Sequence, residues 1–158
     1  MKKQLLGFVS LIVAGAMNTA CIFEVIEGSG KSLTETRSVP EFSKIRSEGV
    51  MNVTLVVGDT QEVKVTCDDN LLQYIITEVS ENELIIGHPK MSQHDTFVTI
   101  NPKADCSISI KTKELQELSV SGTGNTYGSG AMTDLTKIDH SGTGDIGIED
   151  LVVGTLDV

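Results

Sequence analysis

One eight-residue pattern near the end of the chain comes round again. Leu118-Ser-Val-Ser-Gly-Thr-Gly-Asn125 returns twenty residues later as Ile138-Asp-His-Ser-Gly-Thr-Gly-Asp145. A third start, Leu156-Asp-Val158, follows after eighteen more. Three residues before each start stands an apolar residue: Leu115, Leu135 and Val153. Such a period constrains the fold strongly, because a short strand with one apolar side cannot bury it alone and must stack on its neighbours. The pattern predicts an all-β solenoid with rungs of 18–20 residues. Stacking then places Leu115, Leu135 and Val153 in one row, Leu118, Ile138 and Leu156 in a second, and Val120, His140 and Val158 in a third. Gly122, Gly124, Gly142 and Gly144 fall at the corners, where φ > 0 would suit them. Asn125 and Asp145 lie just past the corners, placed for Asx turns.

The start of the chain has a different character. Lys2 and Lys3 precede an apolar run, Leu5 to Ala16, and small residues then lead to Thr19-Ala20-Cys21. This is the layout of a secretory signal over residues 1–20, too short and wrongly flanked for a spanning helix. Its end resembles the lipobox of bacterial lipoproteins, in which the Cys is lipidated and becomes the new N-terminus; Asn18 departs from that pattern. Cys21 is therefore the expected acylation site, and residues 21–36 are expected to form a tether.

Removing residues 1–20 takes away two Lys, leaving 10 basic against 22 acidic residues, a balance of −12. A surface this acidic repels nucleic acid and anionic lipid, so any membrane contact would come through the acyl group. Cys67 and Cys106 are the other two cysteines. Export permits a disulfide between them, but two separate buried thiols fit the sequence equally well.

Between the tether and the repeats the chain reads as strand, turn, strand. Val53, Leu55 and Val57 alternate with polar residues, Gly58-Asp-Thr-Gln61 turns the chain, and Val63 and Val65 resume, which suggests a hairpin. Asp68 to Tyr74 could form one helical turn capped by Asn70. Ile75 to Val79 and Leu84 to Ile86 bracket the polar turn Ser80-Glu-Asn-Glu83, and Phe97 to Ile100 and Ile108 to Ile110 continue the alternation. Val158 stops at the position that precedes Ser121 and Ser141 in the earlier copies. A solenoid domain over 37–158 is thus expected to be C-terminally truncated, to continue, or to pair its open rung with another molecule as an oligomer.

No motif points to catalysis or to a cofactor. Gly28-Ser-Gly-Lys-Ser32 has the end of a phosphate-binding loop, but Val25 stands where its first Gly is needed, so a flexible spacer is expected. His88, His94 and Asp95 share a loop without the spacing that a zinc site requires. His140 reads as a core or corner residue. Asp145 occurs once per twenty residues, too sparse for the nine-residue repeats that bind calcium. The pairs Asp68/Asp69 and Glu149/Asp150 are adjacent, and neighbours on a strand point to opposite faces.

Together, Arg37-Ser-Val-Pro-Glu-Phe-Ser-Lys-Ile45, Gly49-Val-Met-Asn-Val-Thr-Leu55, Gly58, Asp68-Asp-Asn-Leu-Leu72 and the Ser-Gly-Thr-Gly copies resemble the head GIN domain family of bacterial auto-transporter adhesins, exported and often lipidated. The resemblance implies a right-handed parallel β-helix-like fold at the cell envelope, and no catalytic residues. The expected function is a non-enzymatic cell-envelope or surface interaction module. It would be lipid-anchored to the outer membrane, would need no cofactor or metal, and would bind an extracellular glycan or protein through flat faces rich in Ser, Thr and Asn. The alternatives are a carbohydrate-active β-helix enzyme and a structural envelope protein without a specific ligand.

Overall fold

Period-two alternation becomes strand almost wherever the sequence shows it. The structure, a computed structural model, describes residues 22–88, 96–149 and 156–158. Among these residues thirteen strands follow in chain order: β1 (Ile22–Glu27), β2 (Ser32–Arg37), β3 (Lys44–Ser47), β4 (Asn52–Val57), β5 (Glu62–Asp68), β6 (Ile76–Ser80), β7 (Glu83–Gly87), β8 (Thr96–Asn101), β9 (Ser107–Thr112), β10 (Glu117–Val120), β11 (Thr126–Gly130), β12 (Lys137–His140) and β13 (Ile146–Ile148). Among the described residues there is no α-helix, only a 3-10 turn at Leu72–Tyr74. Its N-cap is Leu71 with no side-chain cap, so Asn70 does not cap it as expected.

The strands form three sheets. The five-stranded sheet has the order β12-β10-β3-β7-β6, the six-stranded sheet β13-β11-β4-β9-β5-β2, and β1 pairs with β8 alone. The all-β expectation is met, but the right-handed parallel β-helix-like solenoid is not. These are mixed sheets that do not close into a coil. β2 and β5, β5 and β9, and β6 and β7 pair antiparallel, whereas β4/β9, β3/β7 and β10/β3 are parallel. The repeat covers only the last part of the chain. Upstream, Glu81 (φ 51°) and Asn82 (φ 66°) both adopt left-handed backbone and fold β6 directly back on β7, as a two-residue hairpin turn demands. The hairpin expected between β4 and β5 does not form, because β9 lies between them. The segment expected as a tether carries β1 and β2, each paired along its length.

Locally, the two complete copies do stack. Leu118 lies opposite Ile138, Ser119 opposite Asp139, and Val120 opposite His140. Leu115, Leu135, Leu118 and Ile138 are buried, while Asp139 is exposed. The third start is out of step with the expected row: Lys137 pairs with Asp157, a spacing of twenty, so Val158 rather than Leu156 stands level with Ile138. His140 is exposed, unlike its partner Val120. Val153 lies outside the described residues.

One apolar cluster joins the two large sheets. Ile45, Leu84, Ile86, Leu118 and Ile138 come from the five-stranded sheet, and Val53, Leu55, Val63, Val65, Ile108 and Ile110 from the six-stranded one. With no Trp and 4% aromatic residues, branched aliphatic side chains fill this space. Cys67 and Cys106 form a disulfide, with Cα atoms 4.2 Å apart across the β5/β9 register. The bridge spans 39 residues of sequence, a loop length that on chain-entropy grounds contributes about 4 kcal/mol.

Two measurements by urea unfolding check this core. Ile138→Asp would bury a charge between the sheets and should cost about 3 kcal/mol or more, whereas Ser119→Asp should cost about 0.5 kcal/mol. Cys67→Ala with Cys106→Ala should cost about 4 kcal/mol.

Candidate functional site

Three chain segments pass from the five-stranded to the six-stranded sheet through the same corner. They run from β3 to β4, β10 to β11 and β12 to β13, and their corners are Gly49-Val-Met-Asn52, Gly122-Thr-Gly-Asn125 and Gly142-Thr-Gly-Asp145. Thr123 N–H donates to Gly49 O at 2.8 Å and Thr143 N–H to Gly122 O at 3.0 Å, so the backbone ladder runs through the bend without a break. The repeat glycines are needed for close approach, not for φ, whereas Gly49 has a positive φ of 129°. Gly122, Gly124, Gly142 and Gly144 are not in the left-handed region, which corrects the φ > 0 expectation. A Cβ on Gly122 would overlap the carbonyl oxygen of Gly49, one on Gly124 that of Met51, and one on Gly142 that of Gly122.

Nor do the polar residues past the corner form local Asx turns. Asn52 Oδ1 accepts from Asn125 N–H at 3.0 Å, and Asn125 Oδ1 accepts from Asp145 N–H at 2.9 Å. Each side chain thus binds the strand stacked on it. The copy at Gly49–Asn52 escaped notice because only its Gly and Asn match. The shared Gly-x-x-Asn spacing is the signal that would have found it.

The corners deliver residues to the outer face of the six-stranded sheet. One register row there reads Gly147, Tyr127, Thr54, Ser109, Lys64, Thr36, from β13 across to β2. The next reads Ser129, Val56, Lys111, Glu62. Tyr127 is 54% exposed and Val56 37%, both unusual for large apolar groups on so polar a face. The ring of Tyr127 leans over Gly147, where a Cβ would come within 3.2 Å of it. Glu62 sits between two ammonium groups, Lys64 at 2.9 Å and Lys111 at 3.9 Å. The hydrogen bond from Lys64 lowers the Glu62 pKa, outweighing the burial that would raise it, and Lys111 adds to the lowering.

A second constellation joins the N-terminal segment to Asp68-Asp-Asn70. Asp68 is fully buried beside the disulfide. Gly30 N–H donates to its Oδ1, and the Lys103 and Ala104 N–H groups each donate to Oδ2 at 3.0 Å. Burial pushes the Asp68 carboxyl up, but the N–H donors of Ala104, Gly30 and Lys103 more than offset this and hold it below its ordinary value. Ser29 Oγ donates to Asp69 at 2.6 Å, Lys31 pairs with Asp69 at 3.2 Å, and Asn70 Nδ2 donates to Glu27 O at 2.8 Å. Gly30 has φ +82°, and a Cβ on Gly28 would overlap the Asp68 carboxylate. Gly28-Ser-Gly-Lys31 is thus neither a spacer nor a phosphate loop. Its Gly30 N–H receives an internal carboxylate, and its Ser29 N–H donates to Asn70 Oδ1 at 2.9 Å.

Other candidates are dispersed. His88 is half-buried against Gly49, and both its nitrogens lack a hydrogen-bond partner among the described residues. Cys21, His94, Asp95 and Asp150 lie outside the described residues. Among the described residues the one group of three possible metal ligands is Cys67, Asp68 and Cys106, and its two sulfurs are bonded to each other.

The model of a family described as "Putative auto-transporter adhesin, head GIN domain" matches residues 41–158. The chain belongs to the head GIN domain family. Solved structures share the fold of this chain. A putative adhesin from Bacteroides fragilis aligns with a TM-score of 0.71 at 24% identity, over 81% of this chain and 57% of that one. A putative lipid binding protein from Parabacteroides distasonis aligns with a TM-score of 0.67 at 19% identity, over 82% and 63%. A putative adhesin from Parabacteroides merdae aligns with a TM-score of 0.54 at 16% identity, over 79% and 55%. The chain thus spans less than two thirds of the length of each. No curated protein sequence matches it.

Two outcomes follow for this head GIN domain. Gly122→Ala, which sets a methyl group against a carbonyl, should cost about 3 kcal/mol or more; Gly58→Ala, in open space, should change stability by only about 0.5 kcal/mol. Because the folded-state pKa of Asp68 is depressed, its contribution is present above its unfolded pKa and is lost as pH falls through the lower folded value. Acid unfolding should therefore steepen below about pH 4, and Asp68→Asn, measured by pH-dependent thermal melts, should flatten that limb.

Proposed function

We propose that this chain is a non-enzymatic interaction module displayed at the bacterial cell envelope, exported through residues 1–20 and held at the outer membrane by an acyl group on Cys21. The observation that carries the reading is the outer face of the six-stranded sheet, where Tyr127 stands exposed beside the hydroxyl-bearing Thr54, Ser109 and Ser129. Such a flat, polar, strand-built face suits an extended ligand better than it suits a small substrate. The family description and the names of two of the aligned structures, which call them adhesins, support the same reading.

An enzymatic reading has less to stand on. Acid–base chemistry needs carboxyl groups free to move protons at a substrate. Asp68 is buried under backbone donors, and Asp69 is taken up by Ser29 and Lys31. This pair ties the N-terminal segment down.

Beads coated with the purified chain should adhere to at least one member of a panel of immobilised polysaccharides and matrix proteins, without releasing soluble product. Release of reducing sugar or peptide would overturn the non-enzymatic reading. For the anchor, wild-type protein should partition into detergent and carry an acyl mass at Cys21, and Cys21→Ala should abolish both. Wild-type protein that stays in the aqueous phase with an unmodified N-terminus would refute it.

A further inference from the structure

We infer that the cleft beside β2 and β5 takes the anionic group of an acidic saccharide, whose chain then runs over the outer face of the six-stranded sheet to stack on Tyr127. This rests on the reading of the chain as an interaction module and gives that module a ligand class. The cleft has a volume of about 480 Å³, and its lining includes Arg37, Lys111, Glu62, Thr36 and Thr60. That is ample for one sugar unit.

Charge decides the class. The chain carries a net charge of −10, so a polyanion is repelled everywhere except where cations are locally in excess. The cleft is such a place. Glu62 is the one carboxylate in its lining, and Lys64 already holds it at 2.9 Å. Lys111 Nζ is 3.9 Å from Glu62, beyond hydrogen-bond range, and half-exposed. Arg37 donates from Nη2 to Leu72 O at 2.8 Å and meets Glu35 at 3.1 Å, which fixes the guanidinium, while its Nε has no partner among the described residues. On the outer face, Lys64 and Lys111 thus share the single carboxylate of Glu62, leaving Lys111 loosely paired, whereas Arg37 stands level with buried Val63 on the other face of β2 and braces the cleft wall. Complementary charge of this kind selects the partner.

The rest of the path favours a sugar over a peptide. From Lys111 the register row runs to Val56, which offers an apolar patch, and then to Ser129. Tyr127 stands on that same strand, β11, two strands from Lys111 and about 10 Å away across the sheet. Ser109 and Thr54 lie between, with hydroxyl groups that can donate or accept as each sugar hydroxyl requires. An exposed ring with one face over Gly147 gives the far sugar a surface on which to stack.

The test measures binding of the full chain to polygalacturonate and to neutral dextran by calorimetry, beside bead adhesion to the same polymers and to matrix proteins. Polygalacturonate should bind and dextran should not. Affinity should fall about tenfold with Lys111→Glu, about fivefold with Tyr127→Ala, and steeply as salt rises from about 50 to about 500 mM. Lys137→Glu, on the other sheet, should change nothing, and thermal melts should show every variant folded. Equal binding of dextran, or full affinity in Lys111→Glu, would overturn the inference. Adhesion to a matrix protein without polygalacturonate binding would overturn it and leave the interaction module standing. Absence of any adhesion or polymer binding would overturn both.

Discussion

Backbone packed directly on backbone at the sheet-to-sheet corner is the constraint on which the molecule depends. Gly122 and Gly124 lie over Gly49 and Met51, and Gly142 and Gly144 over Gly122 and Gly124, with no room for a Cβ between successive layers. Each corner sends one strand into each large sheet, so a single spacing sets the register of both. The Asn52 to Asn125 to Asp145 relay then pins that register with side-chain oxygens. Loosening one corner would shift Leu118 and Ile138 on one sheet and Tyr127 and Gly147 on the other. Core and outer face are thus set by the same few ångströms of chain.

The opposite side of the six-stranded sheet is secured differently. There the buried Asp68 draws N–H groups from two distant turns, at Gly30 and at Lys103–Ala104, while the neighbouring disulfide fixes β5 to the start of β9. A charge in such a position is tolerated only because every donor around it points inward. The result is a rigid frame beneath β2, which forms one wall of the cleft with Arg37.

Much of this could be read from the chain beforehand, and what could not has physical reasons. The strands were legible because alternation such as Val53, Leu55, Val57 leaves little choice of period. The Leu118/Ile138 pairing followed from the repeat itself. Strand order was not legible, because the partners of β4 and β5 are set by β9, 55 residues from β4 and 41 to 49 from β5, and no local signal records that. The corner glycines were identified, but for the wrong reason. Sequence suggests glycine for a turn and cannot show a carbonyl lying against it. Gly28-Ser-Gly-Lys31 looked like a spacer because its partner, Asp68, is distant in sequence. The candidate face was hidden among polar positions that, in sequence, mean only solvent, and Tyr127 gave no sign that it would stand exposed.

The bridge between Cys67 and Cys106 also bears on when the chain can finish folding. In a reducing cytosol the two sulfurs stay apart as thiols. The chain then lacks the one covalent link that ties β5 to β9 and closes off β6, β7 and β8. A precursor without that clasp is easier to keep extended, the state in which a polypeptide threads through a secretion channel. Oxidation on the far side then turns a loosely assembled set of strands into a locked one. If the chain is exported as proposed, compartment acts as a timer: passage out of the cytosol also supplies the chemistry that closes the bridge.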